Sequence, residues 1–182
     1  MKKILFILFA SLMLNSCSTI NKVVEVDDRN KQIKSIKLRQ QPSVYLIEKN
    51  NHSSHNLTVI LISETKSGIK PDVKIAFQFK SGIRSEEFDS VMYFVLDQEK
   101  IKAVSIPNST SQLMSREFVV PENLWVSIVH SKSILYRLYI GHDGIDVELI
   151  DSEMNKVREF FNKVIQQRDT LFPPVPGGKM KW

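Results

Sequence analysis

Residues 72–80 constrain the fold more than any other part of this chain. Val73, Ile75, Phe77 and Phe79 fall at every second position, with Asp72, Lys74, Gln78 and Lys80 between them. Successive side chains of a strand point to opposite faces, so this stretch predicts a strand with one face on a core and the other in water. The runs 43–49, 57–64, 90–96 and 101–106 are rich in β-branched and aromatic residues, which suit a pleated surface. Val59-Ile60-Leu61-Ile62 does not alternate, and predicts a central strand covered on both faces. Turn chemistry fills 50–56, from Asn50 through His52 and His55 to Asn56, and again Lys66-Ser67-Gly68 ahead of Pro71. A parallel crossover needs a dozen or more residues, so these short links predict antiparallel neighbours.

The pattern changes in the last third. Pro121 and Glu122 suit a first helical turn, after which Leu124, Trp125, Ile128 and Val129 make one apolar face. Alternation returns in Ile134, Tyr136, Leu138 and Ile140, then in Ile145, Val147 and Leu149. Between them stands Gly141-His142-Asp143-Gly144, which predicts a hairpin. Asp151 is then expected to cap a helix whose Met154, Val157, Phe160, Phe161, Val164 and Ile165 form a stripe, with Lys156, Arg158, Lys163 and Arg168 facing away. The expected fold class is α+β: a largely antiparallel β-sheet, or a sandwich-like pair of sheets, with a short helix near 121–131 and a C-terminal amphipathic helix near 151–168. The tail 171–182 is rich in Pro and Gly, ends at Trp182, and cannot continue that helix.

Cys17 is the only cysteine among 182 residues, so no intrachain disulfide can support the fold and stability rests on core burial. Lys2 and Lys3 precede about eleven mostly apolar residues, from Ile4 to Leu14. A membrane span needs roughly 18 to 20, so this run has the length of a secretory signal's apolar region. It closes on Leu14-Asn15-Ser16-Cys17, which resembles the lipobox of bacterial lipoprotein precursors. The resemblance covers residues 1 to about 18. It implies a signal peptide over 1–16, cleavage between Ser16 and Cys17, an S-diacylglycerol group on Cys17 and N-acylation of its new amino group, with palmitate as a typical chain. Two or more acyl chains hold firmly, at about 0.8 kcal/mol per buried methylene, where one is marginal. Ser18, in place of Asp, points within the same resemblance to the outer membrane of a double-membrane cell, with the domain facing the periplasm. In a single-membrane cell the anchor would leave it on the outer face of the plasma membrane.

Residues 17–22 then form the lipidated N-terminus and a short tether, and 23–170 a single globular domain of ordinary size. Loss of Lys2 and Lys3 leaves 23 Lys+Arg against 20 Asp+Glu, a net charge of +3 in place of +5. The cations are interspersed with acids, without the dense basic run and interleaved aromatics of a nucleic-acid binder, and no nucleic-acid partner is expected.

The remaining chemical signals are weak. Ser63-Glu64-Thr65-Lys66 matches the S-x-x-K pattern of serine acyltransferases, whose mechanism needs the serine at a helix start with its lysine one turn on; here the segment reads as strand into turn. His52 and His55 lie in an Asn/Ser loop without the further ligands a zinc site needs, and no metal or other cofactor is expected. His142 and Asp143 have no local link to a nucleophile. Glu86, Glu87 and Asp89, and the pair Asp27 and Asp28, read as solvated acids. Lys31, Lys34, Lys37 and Arg39 lie near the anchor in sequence and suit contact with anionic headgroups or wall polymer. The leading expectation is a non-catalytic, lipid-anchored envelope module that touches the membrane through its anchor and binds an envelope protein or wall polymer. Its alternatives are an envelope hydrolase whose site is assembled only in three dimensions, with Ser63, Lys66, His142 and Asp143 as its residues, and a lipid-binding envelope module.

Overall fold

The computed structural model describes residues 20–28, 30, 32–46, 51–53, 57–66, 68–79, 89–104, 115–140 and 143–173. Among the described residues, eleven strands and two helices follow in the order β1 (Val23–Asp28), β2 (Ile33–Gln40), β3 (Val44–Leu46), β4 (Asn51–Ser53), β5 (Leu57–Lys66), β6 (Asp72–Phe79), β7 (Val91–Leu96), β8 (Glu99–Val104), β9 (Ser115–Val119), α1 (Glu122–His130), β10 (Ile134–Ile140), β11 (Asp143–Glu148) and α2 (Asp151–Leu171). The strands form a five-stranded sheet in the order β1-β2-β5-β6-β9 and a six-stranded sheet in the order β4-β3-β11-β10-β7-β8. Every ladder is antiparallel. The fold is α+β and mostly sheet, with one short helix and one C-terminal helix, as the two periodicities predict.

Register explains how one core serves both sheets. Leu38 pairs with Leu61 and Leu61 with Ile75, while Ile75 pairs with Phe118, so these four side chains share one face of the five-stranded sheet. On the other sheet Phe94 pairs with Tyr136 and Tyr136 with Val147. The two inner faces meet at Phe77 and Tyr136, edge to face at 5.7 Å, and each ring has a second such neighbour: Phe118 at 6.0 Å from Phe77, and Phe94 at 5.4 Å from Tyr136. Each pair adds about 0.5–1.5 kcal/mol beyond the area it buries. Helix α2 shares the inner face of the five-stranded sheet, over β1 and β2, where its Lys163 reaches Glu25 at 2.5 Å. Its buried stripe is Met154, Val157, Phe160, Phe161 and Val164. Helix α1 buries Leu124, Trp125 and Ile128 and packs on α2, held also by Arg168 to Glu122 at 3.0 Å.

The structure corrects several local expectations. Asn51–Ser53 is a short strand paired with β3, where the composition reads as turn. Ser115–Val119 is a strand that the sequence did not announce. Val59–Ile62 does lie in the central strand, but Ile60 and Ile62 are only half-buried, so its outer side is partly open. Asp151 is the first helical residue and not the cap. Ile150 takes that place, and its N–H donates to the Glu153 carboxylate at 3.1 Å, three residues on. Helix α2 also runs on to Leu171. The β7–β8 turn is the two residues Asp97 and Gln98, both left-handed at φ 49° and 77°, the backbone that matches the twist of a tight hairpin.

Candidate functional site

Among the described residues, those singled out for chemistry do not come together. Ser63 is buried on the inner face of β5, whereas Lys66, an odd number of positions on, is exposed on the outer face. About 10 Å of extended chain separates them, so the lysine cannot take the serine's proton. His52 stands on β4 opposite Tyr45 in register, Asp143 opens β11, and His55 and His142 lie outside the described residues. So do Cys17, Lys31, Glu86, Glu87 and Trp182. Asp89 is exposed, and its N–H donates to the Tyr139 carbonyl at 2.9 Å. Asp27 pairs with Lys34 across β1 and β2. Lys37 and Arg39 lie on the outer face of β2, while Lys34 borders a cleft between β1, β2 and α2 that Lys163 also lines. Among the described residues no three of His, Cys, Asp and Glu group as metal ligands.

A different set converges on the outer face of the six-stranded sheet. Tyr93 of β7 and Tyr139 of β10 meet edge to face with ring centres 6.2 Å apart. Lys100 of β8 lies with Nζ 3.9 Å from the Tyr93 ring centre and donates to the Tyr139 hydroxyl at 3.3 Å. A cation over a phenol ring is worth about 0.5–1 kcal/mol at such a half-open position. Beside them Arg137 forks onto Asp146, with Nε on Oδ1 and Nη2 on Oδ2, both at 2.6 Å. The Asp146 bond keeps the guanidinium charged and pushes its pKa above its already high value. Tyr93, Val95, Leu135, Arg137 and Tyr139 are half-buried on this face, with Lys100 and Lys102 exposed at its edge. The arrangement is an aromatic and cationic platform whose polar groups are held by one another. It suits recognition by stacking and hydrogen bonding.

Sequence reading missed these residues because each sits at the solvent-facing position of a run whose alternate positions carry the core. The signal was present as Tyr93 between Met92 and Phe94, and as Arg137 and Tyr139 flanking Leu138. What joins them is the β7–β10 pairing, across more than forty residues of chain.

A second concavity, a cleft of about 630 Å³, opens where the six-stranded sheet meets the start of α2. Val44, Ile134, Leu149, Ile150 and Met154 make much of its lining, with Ser43, Glu148 and Asp151 among its polar groups. A chain of hydrogen bonds runs beside it. Gln40 Nε2 donates to Asn21 Oδ1 at 2.9 Å and to the Glu153 carbonyl at 3.0 Å, and Glu153 in turn accepts from Ile150. Burial raises the Glu153 carboxyl above the usual range, opposed by the Ile150 N–H. No family model, curated protein or solved structure matches the chain.

Proposed function

We propose that this protein is a lipid-anchored bacterial cell-envelope lipoprotein whose domain is a non-catalytic module binding an envelope protein or wall polymer. The anchor reading rests on Leu14-Asn15-Ser16-Cys17 after a short apolar run, with Cys17 acylated and the domain held at the outer membrane, facing the periplasm. The observation that carries the binding reading is the Tyr93–Tyr139–Lys100 platform with its Arg137–Asp146 fork. Aromatic and arginine side chains fixed on an open sheet face are what binding surfaces concentrate. The Ser63 and Lys66 placement lends a hydrolase no support. The apolar cleft at the start of α2 favours a second reading, a lipid-binding envelope module.

Two measurements test the first reading. Intact mass of the membrane-extracted protein should show a chain starting at Cys17 with several hundred daltons of added acyl mass; a chain starting at Ser18 or later without lipid defeats the anchor. The acylated protein should then retain a partner from purified cell wall or envelope proteins. Tyr93→Ser with Tyr139→Ser should lower retention at least tenfold, while Lys66→Ser on the other sheet leaves it unchanged. Equal retention by all three defeats the platform.

A further inference from the structure

The fold settles where an anchor on Cys17 would hold the domain. Ile20 bridges Arg39, and the Asn21 N–H donates to the Arg39 carbonyl at 2.6 Å, so the chain joins the fold beside the last residues of β2. Only three residue steps separate Cys17 from Ile20, a reach of at most about 11 Å. That entry point is tied through Asn21, Gln40 and Glu153 to Ile150 at the start of α2, and the apolar cleft opens there. Ile20 at 43% and Ile150 at 62%, two of the eight large apolar side chains exposed among the described residues, stand at this same end. Charges of both signs stand near them, Lys22 and Arg39 beside Ile20, and Glu148, Asp151 and Glu153 beside Ile150.

We infer that the Gln40 end of the domain, with Ile20 and Ile150 at its rim and the cleft at the start of α2 beside Ile150, seats against the interfacial layer of the bilayer that holds the anchor. The inference rests on the anchor reading and adds an orientation to it. A tether this short keeps the Gln40 end within the reach of lipid headgroups, and exposed isoleucines gain by leaving water there. Six residue steps of β2 from Gln40 to Lys34, about 20 Å of strand, put Lys34 and the β5–β6 turn at the opposite end, away from the membrane. Lys34 therefore does not join Arg39 at a lipid surface. Because this end has no excess of cations, the contact is apolar in origin and needs no anionic lipid.

The acylated protein makes the test direct, since its only native thiol is blocked by the lipid. Ile150→Cys and Ile69→Cys each then offer one thiol for a nitroxide. Ile69 is the matched control, 59% exposed in the β5–β6 turn at the far end. In vesicles of phosphatidylcholine, the label at position 150 should be reached by oxygen several-fold more readily than by a nickel chelate. The label at 69 should show the reverse, and neither should change in 1 M salt. Equal, aqueous accessibility at both positions, in protein whose intact mass shows the acyl chains, overturns the orientation and leaves the anchor standing. A mass without acyl chains removes the anchor, and the orientation falls with it.

Discussion

Tyr136 occupies the centre of the molecule at a cost in polarity. Its ring joins Phe77 to Phe94, yet its hydroxyl is fully buried and finds no hydrogen-bond partner among the described residues. Burial, with the Glu153 charge adding to it, drives the phenol pKa far up, so the group stays neutral at every ordinary pH. Tyr136→Phe removes an unpaired buried hydroxyl and keeps the ring, and should leave stability unchanged or raise it by up to about 1 kcal/mol. Urea unfolding with an unchanged slope measures this, and a loss above about 1 kcal/mol would show that the hydroxyl is bonded. Asp97 works the other way. Its Oδ1 accepts from the Ser133 and Lys132 N–H groups at 2.8 and 2.7 Å, tying the β7–β8 turn to the α1–β10 link. Those bonds, the Ser133 N–H first, lower its pKa. A carboxyl lowered on folding stabilises above its unfolded value, about 3.9, and that contribution is lost as pH falls through the folded value. Asp97→Asn keeps the residue suited to a left-handed backbone. Its thermal midpoint should lie below wild type at pH 7, and the two should converge as pH falls below the folded value. A gap that persists there assigns the loss to geometry and not to charge.

Periodicity made the long elements legible and left the short ones hidden. The α2 stripe and the alternation of β6 and β10 follow from which side chains must leave water, and that choice survives folding. β4 holds three polar residues on a sheet edge, so nothing in its composition marks it as a strand; only its pairing with β3 makes it one. β9 has Arg116 where alternation calls for an apolar partner to Phe118. The α2 cap was misplaced because the carboxylate that accepts the first N–H comes from Glu153, inside the helix, and not from Asp151. Since α2 supplies five buried side chains to the layer over β1 and β2, its packing outweighs its exposed ion pairs, such as Lys156 with Glu159 at 2.7 Å. Phe160→Ala should therefore cost about 3–5 kcal/mol in chemical denaturation. Lys156→Ala should cost under about 0.5 kcal/mol, and a comparable loss in both would refute that ranking.

At the scale of the whole molecule, the platform and the core differ in how far sequence can see them. A core position is set by its own run of residues, but Tyr93, Lys100, Arg137 and Tyr139 become a surface only after β7, β8 and β10 pair. The same pairing makes the domain one unit. Phe77 and Tyr136 join the two sheets, Lys163 and Gln40 join α2 to β1 and β2, and Arg168 joins α2 to α1, with its guanidinium carbon 5.9 Å from the Trp125 ring centre. No layer keeps its apolar face covered if another leaves, so partial unfolding exposes core surface without releasing the rest of the chain's entropy. The soluble form beginning at Ser18 lacks the only cysteine, and its unfolding should not respond to reductant. In a Trp182→Phe background Trp125 is the sole tryptophan, and it reports the helical layer, while far-ultraviolet circular dichroism reports mainly the sheets. The two signals should follow one coincident urea transition. If tryptophan fluorescence changes at lower urea than the dichroism, the helices form a separate cooperative unit and the shared core does not govern stability.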